Sequence, residues 1–198
     1  MPLTRYRVIT LMVLALCVSC PSWALSPGDN LLTPQPKGWK IGHTNAQKGV
    51  SQIMEMVPEG QTVENWNRMI TVQIFYTLRN VEPSQFANKM GSSFRQACPK
   101  TEVRRVPQDR INGRPTARFY FHNPECGRRA AESLLMLVLQ GNDALHVIQY
   151  AWRPAPPTEK ELQEANAYLN RIRFCDTRKG DCEDQMNRMG EEGRRSVG

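Results

Sequence analysis

Hydrophobic and polar residues alternate most cleanly between Met69 and Leu78. Ile70, Val72, Ile74, Tyr76 and Leu78 make one apolar face, and Met69, Thr71, Gln73, Phe75 and Thr77 make a mixed one. A period of two predicts a strand near the middle of a sheet, with later segments covering or extending it. Before it, Trp39 to Thr44 and Val50 to Val57 read as two strands joined at Lys48-Gly49, the second ended by Pro58-Glu59-Gly60. Between Gln61 and Arg68, the Thr62 hydroxyl caps a turn that drops Trp66 onto the core edge.

The period then changes. Glu82-Pro83-Ser84 opens a helix with proline in the first turn, where its missing N–H costs little. Phe86, Met90, Phe94 and Ala97 form its apolar stripe. Gly91 weakens the helix by about 1 kcal/mol relative to Ala, for which close packing on a sheet is the expected reason. Asn112-Gly113 lies between two strand-like runs, Glu102 to Ile111 and Arg114 to His122, and predicts a hairpin because both turn residues tolerate positive φ. Ala130 to Gln140 is apolar on both faces; followed by Gly141-Asn142-Asp143 and the alternating Ala144 to Trp152, it predicts a second hairpin. Thr158 and Glu161 form a capping box, and Leu162, Ala165, Leu169 and Ile172 give the following helix its apolar stripe. The expected class is α+β: an antiparallel sheet of about six to seven strands covered by two main helices.

The two ends carry different signals. Arg5 and Arg7, the apolar run Val8 to Val18 and Ser22-Trp23-Ala24 make residues 1–24 a secretory signal peptide, with lipid attachment through Cys20 as the alternative. Residues 25–37, with Pro27, Pro34 and Pro36, read as an extended lead-in. Residues 38–182 are the single domain. Residues 183–198 have too few apolar positions to pack and are expected to be disordered. No second apolar stretch suggests a transmembrane segment in the mature chain, and a periplasmic or secreted location follows.

Charge and cysteine content narrow the function. The chain carries +7, and without Arg5 and Arg7 the remainder is +5. That excess suits an acidic partner and is too small, in an exported chain, to argue for nucleic acid. Cleavage leaves Cys98, Cys126, Cys175 and Cys182, an even count that reads as two disulfides with three possible pairings. Cys175 and Cys182 bracket a short polar loop and pair most simply, which leaves Cys98 for Cys126. No C-x-x-C remains to suggest a redox or metal site.

With this element order, the chain resembles the PsbP-like superfamily of α/β/α sandwiches, which includes a Ran-binding nuclear-import factor, and uncharacterised bacterial exported proteins within or near it. The resemblance is carried by Pro58-Glu59-Gly60, Thr62-Val63-Glu64-Asn65-Trp66 and Ile70-Thr71-Val72-Gln73, and by the order of elements from Trp39 to Phe174. It implies a binding or assembly factor rather than an enzyme, by analogy of fold alone.

Candidate chemistry is sparse. Met54 and Met56 share a strand face, the arrangement a Cu(I) site would use, although core filling is the usual role of Met. His43, His122 and His146 lack zinc spacing. There is no nucleophile elbow, Walker loop or H-E-x-x-H, no cofactor motif, and Glu55, Glu59 and Glu64 read as solvated acids. A metal-handling protein or an enzyme of unknown class is the alternative reading. The leading one is a non-enzymatic module of the bacterial envelope. Its contact residues are Arg104, Arg105, Arg110 and Arg114, clustered with Arg118, Arg128 and Arg129 around the Asn112-Gly113 turn, with Trp66 as a groove wall. The partner would be an acidic protein, a lipid head group or a polymer. The competing view is a charged face that guards a sheet edge. Trp39, Tyr150 and Trp152 are further aromatic candidates for a groove, Trp152 being the one expected to be partly exposed.

Overall fold

The computed structural model describes residues 25–127 and 130–195. The expected signal peptide with Cys20, and Arg128 and Arg129, lie outside the described residues. Seven strands form one antiparallel sheet: β2 (Trp39–Gln47), β3 (Ser51–Pro58), β4 (Arg68–Phe75), β5 (Glu102–Val106), β6 (Thr116–Asn123), β7 (Glu132–Gln140) and β8 (Leu145–Trp152). Their order is β2-β3-β4-β8-β7-β6-β5. The alternating Met69–Leu78 run supplies β4, which pairs with β3 through Ile70↔Met56 and with β8 through Ile70↔Tyr150. The two expected hairpins are β5–β6 and β7–β8.

Two helices cover opposite faces. α1 (Pro83–Ala97) packs on Ala117, Phe119, Phe121, Leu134, Met136 and Val138. α2 (Glu159–Asn170) packs on Ile70, Leu135, Leu137, Ile148 and Tyr150. This is the α+β class that the pattern predicts. It also explains why β7 is apolar throughout: Leu134 to Val138 alternate between the two cores, and all of them and Leu139 are buried. Each such side chain contributes roughly 1.5–3 kcal/mol relative to exposure.

Local chemistry sets the helix positions. Glu82 caps α1 by accepting from Gln85 N, and Thr158 and Glu161 form the reciprocal box at α2. The stripe of α1 is centred on Ala87 and Gly91, with Phe86, Met90 and Phe94 half-buried beside it. A Cβ on Gly91 would lie 3.1 Å from Val103 Cγ2 and 3.4 Å from Phe121 Cε1. The glycine therefore sits where helix and sheet approach most closely, and that approach offsets its poor helix propensity.

The ends of the chain depart from expectation. The lead-in contains β1 (Asp29–Leu32), which pairs with β9 (Arg173–Asp176) in a separate two-stranded sheet. A four-residue strand gives no measurable periodicity, and its partner lies more than a hundred residues away. Residues 183–195, expected to be disordered, belong to α3 (Cys182–Arg195). Glu183 and Asp184 favour its N-terminus, and the Cys175–Cys182 disulfide ties it to β9. The expected Cys98–Cys126 bridge is not formed. Cys98 Sγ points to Pro124 O at 4.0 Å and Cys126 Sγ to Ala97 O at 3.8 Å, so each thiol faces backbone on the other's segment. Among the described residues no helix is long and apolar enough to cross a membrane.

Candidate functional site

The β5 edge is built by a turn and a break. Asn112 and Gly113 take positive φ of 48° and 75°, and Arg114 N donates to Ile111 O at 2.9 Å. Pro107 has no N–H, and the β5–β6 ladder ends at Val106↔Arg118. β5 is thus a short terminal strand with Arg104 and Arg105 on alternate faces, both exposed. The Arg104 guanidinium lies 5.2 Å from the centre of the Tyr120 ring, the residue it opposes across the ladder.

Residues 104–107 line one side of a cleft of about 250 Å³ between the sheet edge and α2, with the Arg104 side chain on the α2 face and that of Arg105, which opposes Phe119, on the α1 face. Val106, Tyr120 and Leu162 supply its apolar surface over the buried Leu135, and Asn166 a polar one. Arg118 lies alongside and is only 4% exposed. Its Nη1 donates to Asn166 Oδ1 and its Nη2 to Asn170 Oδ1, each at 2.9 Å. Both partners are neutral. Its Nε reaches no acceptor among the described residues. Burial pushes the Arg118 pKa below its ordinary value. A guanidinium this enclosed normally has a carboxylate beside it, because taking a charge out of water costs several kcal/mol.

The structure divides the other predicted contact residues. Arg110 turns inward on the hairpin tip, its Nε donating to Gly113 O at 2.8 Å. Arg114 Nη1 donates to Asn142 Oδ1 at 2.6 Å, and its guanidinium stacks 5.3 Å from the Phe174 ring centre. Both hold the hairpin rather than line the cleft. Trp66 belongs to the α1-side cluster, on the other face from Tyr120, with Arg153 stacked 4.3 Å from its ring centre. Trp39, Tyr150 and Trp152 are core residues. Trp152, expected to be partly exposed, is 3% exposed and stacks on Tyr150 with centroids 4.9 Å apart.

Met54 and Met56 do share a face, the one packed towards α2. His43 pairs with Glu55 and therefore lies on the opposite face. His122 Nδ1 is 2.9 Å from Ser133 Oγ, and His146 is enclosed near Phe174. Among the described residues one group of three His, Cys, Asp or Glu converges: Cys175, Asp181 and Cys182. The two sulfurs there are bonded to each other and offer no thiolate.

A second cleft of about 500 Å³ lies at the end of α1, walled by Cys98, Pro124 and the Glu132–Arg153 ion pair. A third cluster joins Arg178 to Asp143 and Asp176, each at 2.8 Å, and to Asp29 at 3.5 Å. The Arg178 side chain holds the Asp176 carboxyl down at about 2, whereas burial raises that of Asp29. This knot fastens β1, the β7–β8 turn and β9 through one guanidinium shared by three carboxyl groups.

Sequence patterning found Arg104 and Arg105 but not Tyr120, Leu162 and Asn166. The period of two does place Arg118 and Tyr120 on one face. Nothing in the sequence says that α2 covers that face. Fold and edge together define a class: an α+β sandwich with a cationic cleft at one end of its sheet. No protein-family profile matches the chain, and no curated protein sequence matches it significantly.

Proposed function

We propose that the protein is an exported, non-enzymatic binding module of the bacterial cell envelope that takes an acidic partner at the β5 edge. The observation that carries this reading is the exposed Arg104 at a cleft beside a buried guanidinium that has no counter-charge among the described residues, with exposed Arg105 on the other face of the same edge. Arginine suits bidentate contacts with carboxylate or phosphate, and a low-dielectric wall strengthens such contacts. Export is supported by the pattern of residues 1–24 and by the Cys175–Cys182 disulfide. The PsbP-like resemblance leans the same way.

The test separates the four arginines as the structure does. Immobilised residues 25–198 are exposed to envelope extract beside Arg104→Ala/Arg105→Ala and Arg110→Ala/Arg114→Ala variants, and the retained components are read by mass spectrometry. The first variant is expected to lose a component that wild type and the second variant keep. Identical sets from all three would leave the arginines as guards of a sheet edge and end this reading.

A further inference from the structure

We propose that the cleft is a seat for an amphiphilic organic anion, with the Arg118 charge behind its wall; this rests on, and deepens, the reading of the β5 edge as a binding surface. Arg118 does not line the cleft, but it is bound to two of the walls. It opposes Val106 across the ladder, and its Nη1 is bonded to Asn166. Both of those side chains face the cleft. The positive charge is therefore held one side chain behind the surface, where little water screens it.

Most buried charges are answered within the protein. The Arg178 knot shows how this chain does so: the buried carboxylates of Asp29 and Asp176 meet a half-exposed guanidinium. Around Arg118 the acceptors among the described residues are instead two amide oxygens, and its Nε–H meets none. An unanswered charge next to a cavity favours an anion entering that cavity. The rest of the lining describes the anion. Arg104, on the same face as Tyr120, stands ready for its oxygens, while Val106, Tyr120 and Leu162 meet an apolar body. The ligand class is a carboxylate or phosphate monoester on an alkyl group.

Decyl phosphate, decanoate and decanol test this by calorimetry below their micelle concentrations. The two anions distinguish a phosphate source from a fatty-acid source, and decanol reports apolar filling alone. Wild type is expected to bind at least one anion about tenfold or more tightly than decanol. Asn170→Asp leaves the lining intact and sets a carboxylate against Arg118 Nη2. It should weaken anion binding about tenfold or more and raise the melting temperature. Arg118→Met should lose the same affinity, with near-UV circular dichroism reporting its fold. If Asn170→Asp binds the anions as tightly as wild type, or if decanol binds as well as they do, the proposal is overturned. Wild type that binds neither anion also overturns it, while loss of an envelope component by Arg104→Ala/Arg105→Ala would still uphold the broader reading. Anion binding with an unchanged retained set would do the reverse.

Discussion

Phe121→Ala is expected to lower the unfolding free energy of residues 25–198 by about 3–5 kcal/mol. Phe121 is fully buried. It meets Phe94 of α1 edge-on with centroids 5.6 Å apart and Phe119 at 6.2 Å. Its ring also fills the space over Gly91, which has no side chain to move in when the ring is removed. A cavity that cannot collapse is the costly kind, because surrounding atoms lose contacts without gaining others. Native domains are stable by only about 5–15 kcal/mol, so the loss is a large fraction of the whole. Urea denaturation gives the measurement. A midpoint within error of wild type would mean that α1 does not pack on β6 as described.

The second large effect depends on pH. His146 is 1% exposed, neither ring nitrogen has a partner among the described residues, and burial lowers its pKa to about 4. Asp143 opposes that shift only in part. The unfolded chain keeps the ordinary value of about 6.5. Below that pH the unfolded state binds a proton that the folded state refuses. The contribution is therefore complete above about 6.5 and is lost as the pH falls towards 4. It amounts to about 2 kcal/mol by pH 5 and on the order of 3 kcal/mol in all. His146→Leu should remove this slope, so the stability difference between variant and wild type should grow by about 2 kcal/mol from pH 7 to pH 5. Denaturant unfolding at the two values decides it; equal differences would place the imidazole in contact with water.

What could be read from the sequence follows from how local each signal is. The strands Val50–Val57, Met69–Leu78 and Ala144–Trp152 declare themselves by alternation, and both helices by their caps and stripes. β1, β9 and α3 do not. Asp29–Leu32 and Arg173–Asp176 are held by one another and by the ion pairs of Arg178 with Asp29 and Asp143, contacts that span long stretches of chain, whereas the Cys175–Cys182 disulfide beside them closes a separation of only 7 residues. The candidate edge is a similar mixture. Arg104 and Arg105 stand out as a basic pair on a short strand, whereas Arg110 and Arg114, equally conspicuous, spend their guanidinium groups on the turn and on Phe174. Arg118 looked like one more surface charge. Its importance comes from α2 lying over it, a tertiary fact that patterning does not carry. The same limit applies to Trp152, whose place at a strand end suggested exposure although the aromatic cluster encloses it.

The central claim is that partners are taken at the β5 edge, and site-directed photo-crosslinking tests it most directly. Pro107, exposed at the lip of the cleft, and Gln47, exposed on the β2 strand at the far end of the sheet, are each replaced by a photoreactive amino acid. Irradiation in envelope extract is expected to give a discrete adduct from position 107 that disappears in the Arg104→Ala/Arg105→Ala background, and none from position 47. An adduct from position 47 alone, or one from position 107 that persists when the two arginines are removed, would contradict the account.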